Sequence, residues 1–416
     1  MNAAAVAWSA GATLASPALR LMLRRRAARG KEIGTRLPER YGIDPTPRPA
    51  GRLIWLHAAS VGETVSALPV VEELAREATV LMTTGTVTSA ELLCRRLAEQ
   101  GMGGRVTHRF APLDVPGWVA RFLDHWRPDA GALIESELWP NLLFACQRRG
   151  IPLALLNARM SDRSFRAWSY APGVAGRVLG CLAVIQAQSE VDAERLRWLG
   201  AQAVTAPGNL KFAAPPLPCD ENALAGARAA LGGSPCWVAA STHPGEEELV
   251  AAAHRELVAA HRGLVTIIVP RHPERGAELA GLGARRSVGE VAQAGGVWIG
   301  DTLGEMGLWY RLARIVLMGR SLTPPGGGQN PLEPARLGCA VASGPLVGNF
   351  AEPVRVLEQA GALAILPDVP AMVRWVDRMT SNPAECEAVG QRAAEAVRTG
   401  DALPHLAARA VLDLIR

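Results

Sequence analysis

Lysine is nearly absent from this chain of 416 residues. Lys31 and Lys211 are the two lysines, so arginine supplies almost all of the 44 basic residues behind the formal net charge of +5. An arginine bias this strong reflects genome composition before function, and it leaves Lys211 conspicuous. A modest positive balance suits a solvated surface or attraction to anions such as phosphates and acidic lipid head groups. No basic run is interleaved with aromatic residues, so the sequence does not predict a nucleic-acid partner.

Cysteine is sparse and scattered. The seven cysteines include no CxxC pair and have no histidine at a zinc-ligand spacing. An odd, dispersed set in a chain of this length predicts reduced thiols in a cytoplasmic setting and no structural zinc site.

The motifs of several large enzyme classes are also missing. The chain has no GxxxxGK[ST], no GxGxxG between a predicted strand and a helix, no GxSxG and no HExxH. These absences disfavour P-loop enzymes, nicotinamide or flavin enzymes, nucleophile-elbow hydrolases and zinc proteases.

No apolar run is long enough to predict a firm membrane span, which needs about 20 strongly apolar residues. Residues 3–19 carry no charge but are interrupted by serine, glycine and proline, and five arginines follow within residues 20–29. A signal peptide would carry its positive charge before the apolar stretch. The pattern therefore predicts that residues 1–30 form an interfacial anchor on an anionic membrane surface. An ordinary surface helix and a single weak span are the alternatives.

From residue 52 onward, short apolar runs alternate with stretches of helical period, which is typical of βαβ units and parallel sheets. The length suits two domains. The pattern predicts an α/β protein with two Rossmann-like, doubly wound domains that face a cleft. The predicted strands cover residues 53–57, 79–83, 106–110, 132–135, 152–156, 182–186, 237–241, 264–269, 297–300 and 314–318. The predicted boundaries place the anchor at 1–30, the first domain at 31–210, a proline-rich linker at 211–220, the second domain at 221–400, and a returning C-terminal helix at 401–416.

Polar residues cluster directly after these strands, where doubly wound domains bind ligands. Glu63 follows the first strand, and Glu135 and Glu137 follow the fourth. A carboxylate at the mouth of a strand can act as a general base. Alternatively, Glu63 has only a structural role in the first turn of a helix, where the helix dipole favours negative charge. Residue type alone supports this structural interpretation better.

The glycine-rich segment GGGQNPLE at residues 326–333 also allows two interpretations. Asn330 can cap a helix that begins near Pro331, with Glu333 completing a capping-box arrangement. Alternatively, the helix end meets a phosphate while Glu333 holds ribose hydroxyls. The position of the segment, after PRH and DTLGE, favours the functional interpretation.

Nine short segments carry a family resemblance across residues 55–334. They are WLHAASVGE, TTGTVTS, ESELWPN, NARMSDRS, GNLKF, STHPGEEE, PRHPER, GDTLGEM and GGGQNPLEP, in this order. With them the chain resembles the bacterial Kdo (3-deoxy-D-manno-octulosonic acid) transferases, which build the inner core of lipopolysaccharide.

The resemblance implies a GT-B glycosyltransferase without a metal or a separate cofactor. It would transfer Kdo from CMP-Kdo to a lipid A precursor (lipid IVA), with inversion, on the cytoplasmic face of the inner membrane. It implies that the first domain binds the acceptor and the second binds CMP. It leaves open the number of Kdo residues added, the acyl pattern and the oligomeric state.

The resemblance also assigns roles to individual residues. Glu63 is the expected general base, and Glu135 and Lys211 are expected to stabilise the transition state. The expected CMP contacts are Pro270, Arg271, Leu303, Gly304, Glu305, Asn330, Pro331, Leu332 and Glu333. Many relatives have GGHNPLE, so Gln329 and one extra glycine leave any donor contact of that histidine in doubt. Another GT-B enzyme with a different nucleotide sugar, or a catalytically silent binding relative, is the alternative.

Overall fold

The structure is a computed structural model that describes residues 3–99 and 101–415. The chain divides into two compact units. The first unit comprises residues 1–214 together with 400–416, and the second comprises residues 215–399. Residues 1 and 2 of the predicted anchor lie outside the described residues.

The first unit is a parallel sheet with helices on its faces. Its elements in chain order are α1 (Ala3–Ala28), α2 (Leu37–Arg40), β1 (Leu53–Ala58), α3 (Val61–Glu77), β2 (Thr79–Thr84), α4 (Val87–Glu99), β3 (Val106–Phe110), α5 (Pro116–Trp126), β4 (Ala130–Ile134), α6 (Pro140–Arg148), β5 (Leu153–Ala158), α7 (Asp162–Ser169), α8 (Pro172–Leu179), β6 (Val184–Ala187), α9 (Glu190–Trp198) and β7 (Val204–Thr205). The strand order is β3-β2-β1-β4-β5-β6-β7.

The second unit repeats this architecture. Its elements are α10 (Glu221–Leu231), β8 (Cys236–Thr242), α11 (Glu246–Ala260), β9 (Val265–Pro270), β10 (Ala284–Arg285), β11 (Val297–Ile299), α12 (Met306–Leu312), β12 (Ile315–Met318), α13 (Leu332–Arg336), β13 (Ala340–Ser343), α14 (Ala351–Gln359), β14 (Leu363–Ile365), α15 (Val369–Ser381) and α16 (Pro383–Arg398). The strand order is β10-β11-β9-β8-β12-β13-β14, and the strands pair in parallel. The prediction of two doubly wound, Rossmann-like domains is confirmed.

Central strands of both sheets are buried on both faces, which explains their continuous apolar sequences. All six residues of β1 are buried, as are all five of β4. Strands that the sequence did not predict are β7, β10, β13 and β14; two of them have only two residues and carry no readable period.

Helix α1 packs onto the first unit. Leu23 is buried against Val115 and Trp118, and the Trp8 indole N–H donates to Asp114 Oδ2 at 3.0 Å. Among the described residues, no helix combines the length and apolarity that crossing a membrane requires.

Two local features differ from what the sequence pattern indicates. A serine at the position of Ser89 can cap a helix, but α4 begins at Val87 and the Thr86 hydroxyl accepts from the Ser89 N–H at 3.2 Å. Both residues carry a β-hydroxyl group, so sequence alone does not separate them. Lys211 is the first residue of the predicted proline-rich linker, but residues Leu210–Ala213 form a 3₁₀ turn in which Leu210 and Phe212 are buried.

The C-terminal helix α17 (Leu403–Leu412) belongs to the first unit and packs against α3. Its buried residues join the core cluster of one face of the first sheet, and Leu412 is among them. Leu406, on the same helix, is 47% exposed.

We expect Leu412→Ala to destabilise the first unit by about 2–5 kcal/mol, because truncating a buried leucine removes contacts and leaves a cavity. Leu406→Ala, the matched control, should change stability by less than about 0.5 kcal/mol. Native-state hydrogen exchange of the β1 and β4 amides measures the free energy of opening. Equal exchange in the two variants would contradict the packing described for α17.

Candidate active site

The sequence-predicted catalytic residues of the first unit meet at the topological switch point of its sheet. From β1 the chain adds strands in one direction to β3, and it then returns to place β4 on the other side of β1. The carboxyl ends of β1 and β4 are therefore neighbours, and ligands bind at such points in doubly wound sheets. Residues 59–63 follow β1, and residues 135–137 follow β4.

Glu63 lies in the first turn of α3 and is held by two donors. The Ala59 backbone N–H donates to Glu63 Oε2 at 2.7 Å, and the Ser60 hydroxyl donates to Oε1 at 2.8 Å. Ser60 is the N-cap and its hydroxyl oxygen accepts from the Glu63 N–H. Each carboxylate oxygen keeps a further lone-pair site for a substrate proton.

Burial raises the pKa of Glu63 above its ordinary value. The Ala59 and Ser60 hydrogen bonds oppose this change, and the negative charges of Glu137 and Glu135 add to it. Glu63 is therefore a stronger base than an ordinary glutamate, as general-base catalysis favours. Perturbed carboxylates of this kind cluster at functional sites.

Glu137 is the acceptor end of a chain of hydrogen bonds that begins in the core. His57 Nε2 lies 3.3 Å from Glu137 Oε2, and His57 Nδ1 lies 2.9 Å from the Thr83 hydroxyl. The Trp139 indole N–H also donates to Glu137 Oε2, at 2.5 Å. Burial acts to raise the pKa of Glu137, but the contacts from His57 and Trp139 outweigh it and lower the pKa. Glu137 is thus kept ionised beside Glu63.

Glu135 and Lys211 form an ion pair. Lys211 Nζ lies 2.9 Å from Glu135 Oε1, although the contact lacks the alignment of a hydrogen bond. Glu135 has a φ of 62°, in the left-handed region that glutamate rarely occupies. Such strain persists only where surrounding structure imposes it, and it is concentrated at functional sites.

Asn157 positions Lys211. Its side-chain oxygen accepts from the Leu210 N–H at 2.9 Å, and its own φ of 53° is left-handed. The Asn209 side-chain oxygen accepts from the Lys211 N–H at 3.0 Å. Two motifs that are far apart in the sequence, NARMSDRS and GNLKF, therefore place one ammonium group beside Glu135.

The second unit has an equivalent switch point at β8, which lies between β9 and β12. The predicted CMP contacts lie at the end of β9 (Pro270 and Arg271), after β11 (residues 303–305) and after β12 (residues 330–333). The three strands run parallel in one sheet, in the order β11-β9-β8-β12, so their carboxyl ends lie at the same edge. CMP binding by the three segments stays a prediction.

A buried carboxylate ties two of the loops at this edge together. Glu246 accepts four backbone N–H groups: His243 at 2.9 Å, Arg320 at 2.6 Å, Ser321 at 2.8 Å and Leu322 at 2.9 Å. Ser241, near the end of β8, and Arg320, in the loop after β12, both have left-handed φ values of 56°. Glu246 is therefore the internal anion that orders both loops.

The predicted CMP-binding residues differ in their exposure and in the partners that they already have. The Arg271 side chain is exposed, and none of the described residues forms a hydrogen bond or ion pair with its guanidinium. Leu303 is 84% exposed. Glu305 is paired with both Arg286 Nε at 2.7 Å and Arg286 Nη2 at 2.6 Å, and this pairing lowers the pKa of Glu305. Arg271 is thus free for a phosphate, whereas Glu305 is already charge-balanced.

The backbone conformation of the glycine-rich loop requires glycine at residues 326–328. Gly326, Gly327 and Gly328 all have positive φ values, and a Cβ on Gly327 would lie 2.5 Å from Asn349 Nδ2. The loop leads into α13, where the Asn330 side-chain oxygen accepts from the Leu332 N–H at 3.2 Å. Asn330 Nδ2 also donates to Glu333 Oε1 at 3.2 Å. Pro331, not Asn330, is the N-cap of α13, and no side chain caps the helix, so the predicted capping box is not formed. Ligand binding at Asn330 and Glu333 stays a prediction.

The part of the chain that the structure describes contains no group of three or more His, Cys, Asp or Glu side chains arranged to hold a metal ion.

Comparisons with known proteins identify the family. Residues 35–214 match the family described as 3-deoxy-D-manno-octulosonic-acid transferase (kdotransferase). A probable mitochondrial 3-deoxy-D-manno-octulosonic acid transferase of Arabidopsis thaliana is 37% identical over 88% of this chain and 86% of its own length. The 3-deoxy-D-manno-octulosonic acid transferase of Bordetella pertussis is 34% identical over 96% of both chains. The chain belongs to the Kdo transferase family.

Kdo transferases are glycosyltransferases, and the fold agrees with that class. A crystal structure of a glycosyltransferase from Rickettsia africae covers 88% of this chain and all of its own, with a TM-score of 0.58 at 12% identity. A likeness at this identity supports the GT-B fold alone.

The Kdo transferase motifs contain residues that sequence reasoning passed over. Glu246, in STHPGEEE, and His57, in WLHAASVGE, were not predicted to have roles. The available signal for Glu246 was a run of three glutamates directly after a strand and a turn. Such a run normally indicates that the glutamates interact favourably with the helix dipole in the first turn. That interaction does not require the side chain of Glu246 to be buried.

Glu246→Gln should destabilise the second unit by about 1.5–3 kcal/mol or more, because an amide NH₂ replaces one acceptor oxygen and faces N–H donors. Glu248→Gln is the matched control, since Glu248 is exposed in the same helical turn. Thermal unfolding followed by calorimetry measures the difference. A loss of stability equal to that of the control would refute the anchoring role of Glu246.

Proposed function

We propose that the protein transfers Kdo from CMP-Kdo to a hydroxyl group of a lipid A precursor, as a step in lipopolysaccharide biosynthesis. Membership of the Kdo transferase family supports the reaction class. The observation that carries the proposal is the convergence of Glu63, Glu135 and Lys211 at the switch point of the first sheet.

The proposed reaction is a single displacement. The acceptor hydroxyl oxygen forms a bond to the anomeric carbon of Kdo while the bond from that carbon to the CMP phosphate oxygen breaks. The hydroxyl proton passes to the Glu63 carboxylate, and CMP leaves with the electron pair of the broken bond. Attack from the face opposite the leaving group inverts the anomeric configuration.

The contacts of Glu63 suit a general base. The Ala59 N–H and the Ser60 hydroxyl fix the orientation of the carboxylate, so little positional freedom is lost when substrate binds. The raised pKa strengthens its affinity for the substrate proton, while an ordinary first-turn glutamate would be a weaker base. Capping and catalysis are compatible because each oxygen retains an acceptor site.

Lys211 supplies the positive charge for a donor that carries a phosphate and the carboxylate of Kdo. Glu135 holds the ammonium by the 2.9 Å ion pair, which pre-organises it for charge that develops in the transition state. We therefore assign transition-state stabilisation to the pair rather than to either residue alone.

The second unit supplies the proposed CMP site. Arg271 is exposed and unpaired among the described residues, and a guanidinium binds a phosphate through two parallel hydrogen bonds. Residues 303–305 and 330–333 follow β11 and β12, whose carboxyl ends lie at the same edge of the sheet as that of β9. Pockets at such edges bind nucleotides through a few fixed polar contacts.

The acceptor is lipid-borne, and α1 is suited to meet it. Its exposed residues include apolar side chains such as Leu14 and Leu21 as well as Arg24 and Arg25, and exposed Arg29 follows the helix. An apolar and basic helix of this kind associates with anionic membrane surfaces. We propose attachment to the cytoplasmic face of the inner membrane, where CMP-Kdo is available.

The proposed function is tested by incubating the full chain with CMP-Kdo, generated in situ, and a tetraacylated lipid A precursor. Mass spectrometry should detect the addition of one or more Kdo units. Glu63→Gln should lower the rate by about 10²–10⁴-fold, the usual contribution of a general base. Glu77→Gln, an exposed glutamate at the other end of α3, is the matched control and should transfer at the wild-type rate.

Lack of transfer by the folded wild type would overturn the Kdo assignment. Transfer from a UDP-sugar in the same assay would replace it with another glycosyltransferase activity. Full activity of Glu63→Gln would move the base to another residue.

The pH dependence of the rate reports the environment of Glu63. The base acts when ionised, so the rate falls as the pH drops below its pKa. Because burial and the charges of Glu137 and Glu135 raise that pKa, the acid limb of kcat/KM should lie above the ordinary glutamate range. Glu137→Gln removes one repelling charge and should move the limb to lower pH. An unchanged limb in Glu137→Gln would contradict the coupling.

A further inference from the structure

A cavity of about 460 Å³ lies within the first unit, beside the candidate base. Its volume falls within the range of about 300–1,000 Å³ typical of small-molecule pockets. Helix α1 forms one wall, and the other walls include α2, α5, α6 and the loops after β1, β2, β3 and β4. Its apolar lining includes Ala12, Leu19, Leu23, Val115, Val119 and Leu142.

Asp114, one of the charged groups in the lining, is already satisfied by the protein. It accepts from the Trp8 indole N–H at 3.0 Å, from the Asn141 N–H at 3.2 Å and from the Leu142 N–H at 2.9 Å. Burial raises the pKa of Asp114 despite these bonds. The carboxylate therefore has little capacity left to recognise a polar ligand.

Arg40 and Glu32, which also line the cavity, satisfy each other. Arg40 Nη2 lies 3.0 Å from Glu32 Oε2, and the remaining donors of Arg40 reach the carbonyl oxygens of Thr84, Gly85 and Ala111. The other oxygen of Glu32 accepts from Arg26 Nε at 3.1 Å. The guanidinium of Arg40 is thus fully used within the protein and offers no site for an anion.

Arg26, His57 and Glu137 are the other polar residues of the lining. Arg26 Nε is bound to Glu32, and His57 is paired with Glu137. Where a polar group of the cavity is already paired, a polar ligand gains little, since its hydrogen bond would replace an existing one. The free energy of binding in the cavity must come from the burial of apolar surface. The chemistry of the walls therefore selects a hydrocarbon.

Two tryptophans mark where the cavity meets solvent. Trp8 is 51% exposed and Trp139 is 45% exposed, and both line the cavity. Each indole N–H is held by a carboxylate, of Asp114 and of Glu137 respectively. Tryptophans with an apolar body and a bonded N–H are typical of membrane interfaces. The apolar residues and arginines of α1 continue this surface.

The cavity also borders the candidate base. Ala59 lines it, and the Ala59 N–H donates to Glu63 at 2.7 Å. Glu137, on the same wall, is close enough for its charge to raise the pKa of Glu63. An apolar ligand in the cavity would therefore lie next to the hydroxyl that Glu63 deprotonates.

We infer that the cavity binds one fatty acyl chain of the acceptor and so sets the position of the sugar hydroxyl relative to Glu63. The inference rests on the proposed function for the identity of the acceptor. The buried chain would supply remote binding energy that the enzyme uses for orientation at the reacting centre. Acyl-chain content would then be a determinant of specificity.

The test introduces a bulky side chain into the cavity from α1. In Ala12→Phe the new ring occupies space in the lining, whereas Ala98→Phe, the matched control, places the same ring on an exposed residue of α4 that is outside the lining. The readout is the ratio of kcat/KM for a tetraacylated acceptor to kcat/KM for its deacylated counterpart, in detergent. If the ring excludes only two methylene groups of the acyl chain, the ratio falls by about tenfold. Ala12→Phe should lower the ratio by at least this factor, and Ala98→Phe should keep the wild-type ratio.

A second measurement does not depend on turnover. An acceptor whose acyl chain ends in a diazirine is photolysed with the wild type, and the labelled peptides are identified by mass spectrometry. Labels should fall within residues 8–23 and 111–119, and Ala12→Phe should reduce them.

The outcomes separate the two proposals. A wild-type ratio in Ala12→Phe, or labels confined to other segments, would overturn the acyl-chain site while leaving Kdo transfer intact. Absence of transfer to both acceptors, with labels still in the cavity, would overturn the proposed function and support the lipid site.

Discussion

Parallel pairing of β1 with β4 is the constraint on which the first unit depends. The register places Leu56 beside Ala132 and His57 beside Leu133, so the two strands end together. Because the chain leaves β1 towards β2 and leaves β4 towards β5, the following helices diverge and leave the strand ends open. Glu63 and Glu137 are brought close at this point. Burial raises the pKa of Glu63, and the repulsion from Glu137 adds to this effect.

The second unit has the same switch-point topology, but different polar groups meet at its strand ends. At the β8 switch point the converging groups are backbone N–H groups, and the buried carboxylate of Glu246 satisfies four of them. The Glu246 carboxylate stabilises the loops without a ligand, so the proposed nucleotide site would be formed in advance. Exposed Arg271 would remain available for the phosphate. The first unit thus concentrates negative charge beside the proposed base, and the second concentrates N–H donors around a carboxylate.

Much of this arrangement was predictable because central strands of parallel sheets are continuous apolar runs. The two-residue strands β7 and β10 were not, since two residues have no periodicity. The candidate residues were predictable one by one, but their partners were not. Lys211 looked like a solvated linker residue because its contact with Glu135 depends on Asn157, whose left-handed backbone no local pattern indicates. Long-range contacts of this kind arise from tertiary packing, which a single sequence does not display.

In the first turn of α3, Glu63 can be a structural residue of the helix end and a general base at the same time, for a physical reason. The donors that make it a capping residue are also those that orient its carboxylate. Alone, they would lower its pKa and weaken it as a base. Burial reverses this effect, with help from Glu137 and Glu135. If an acyl chain fills the adjoining cavity, it displaces water from the wall that Glu137 and Ala59 share. Removing that water strengthens each electrostatic interaction there, so acceptor binding would itself raise the basicity of Glu63.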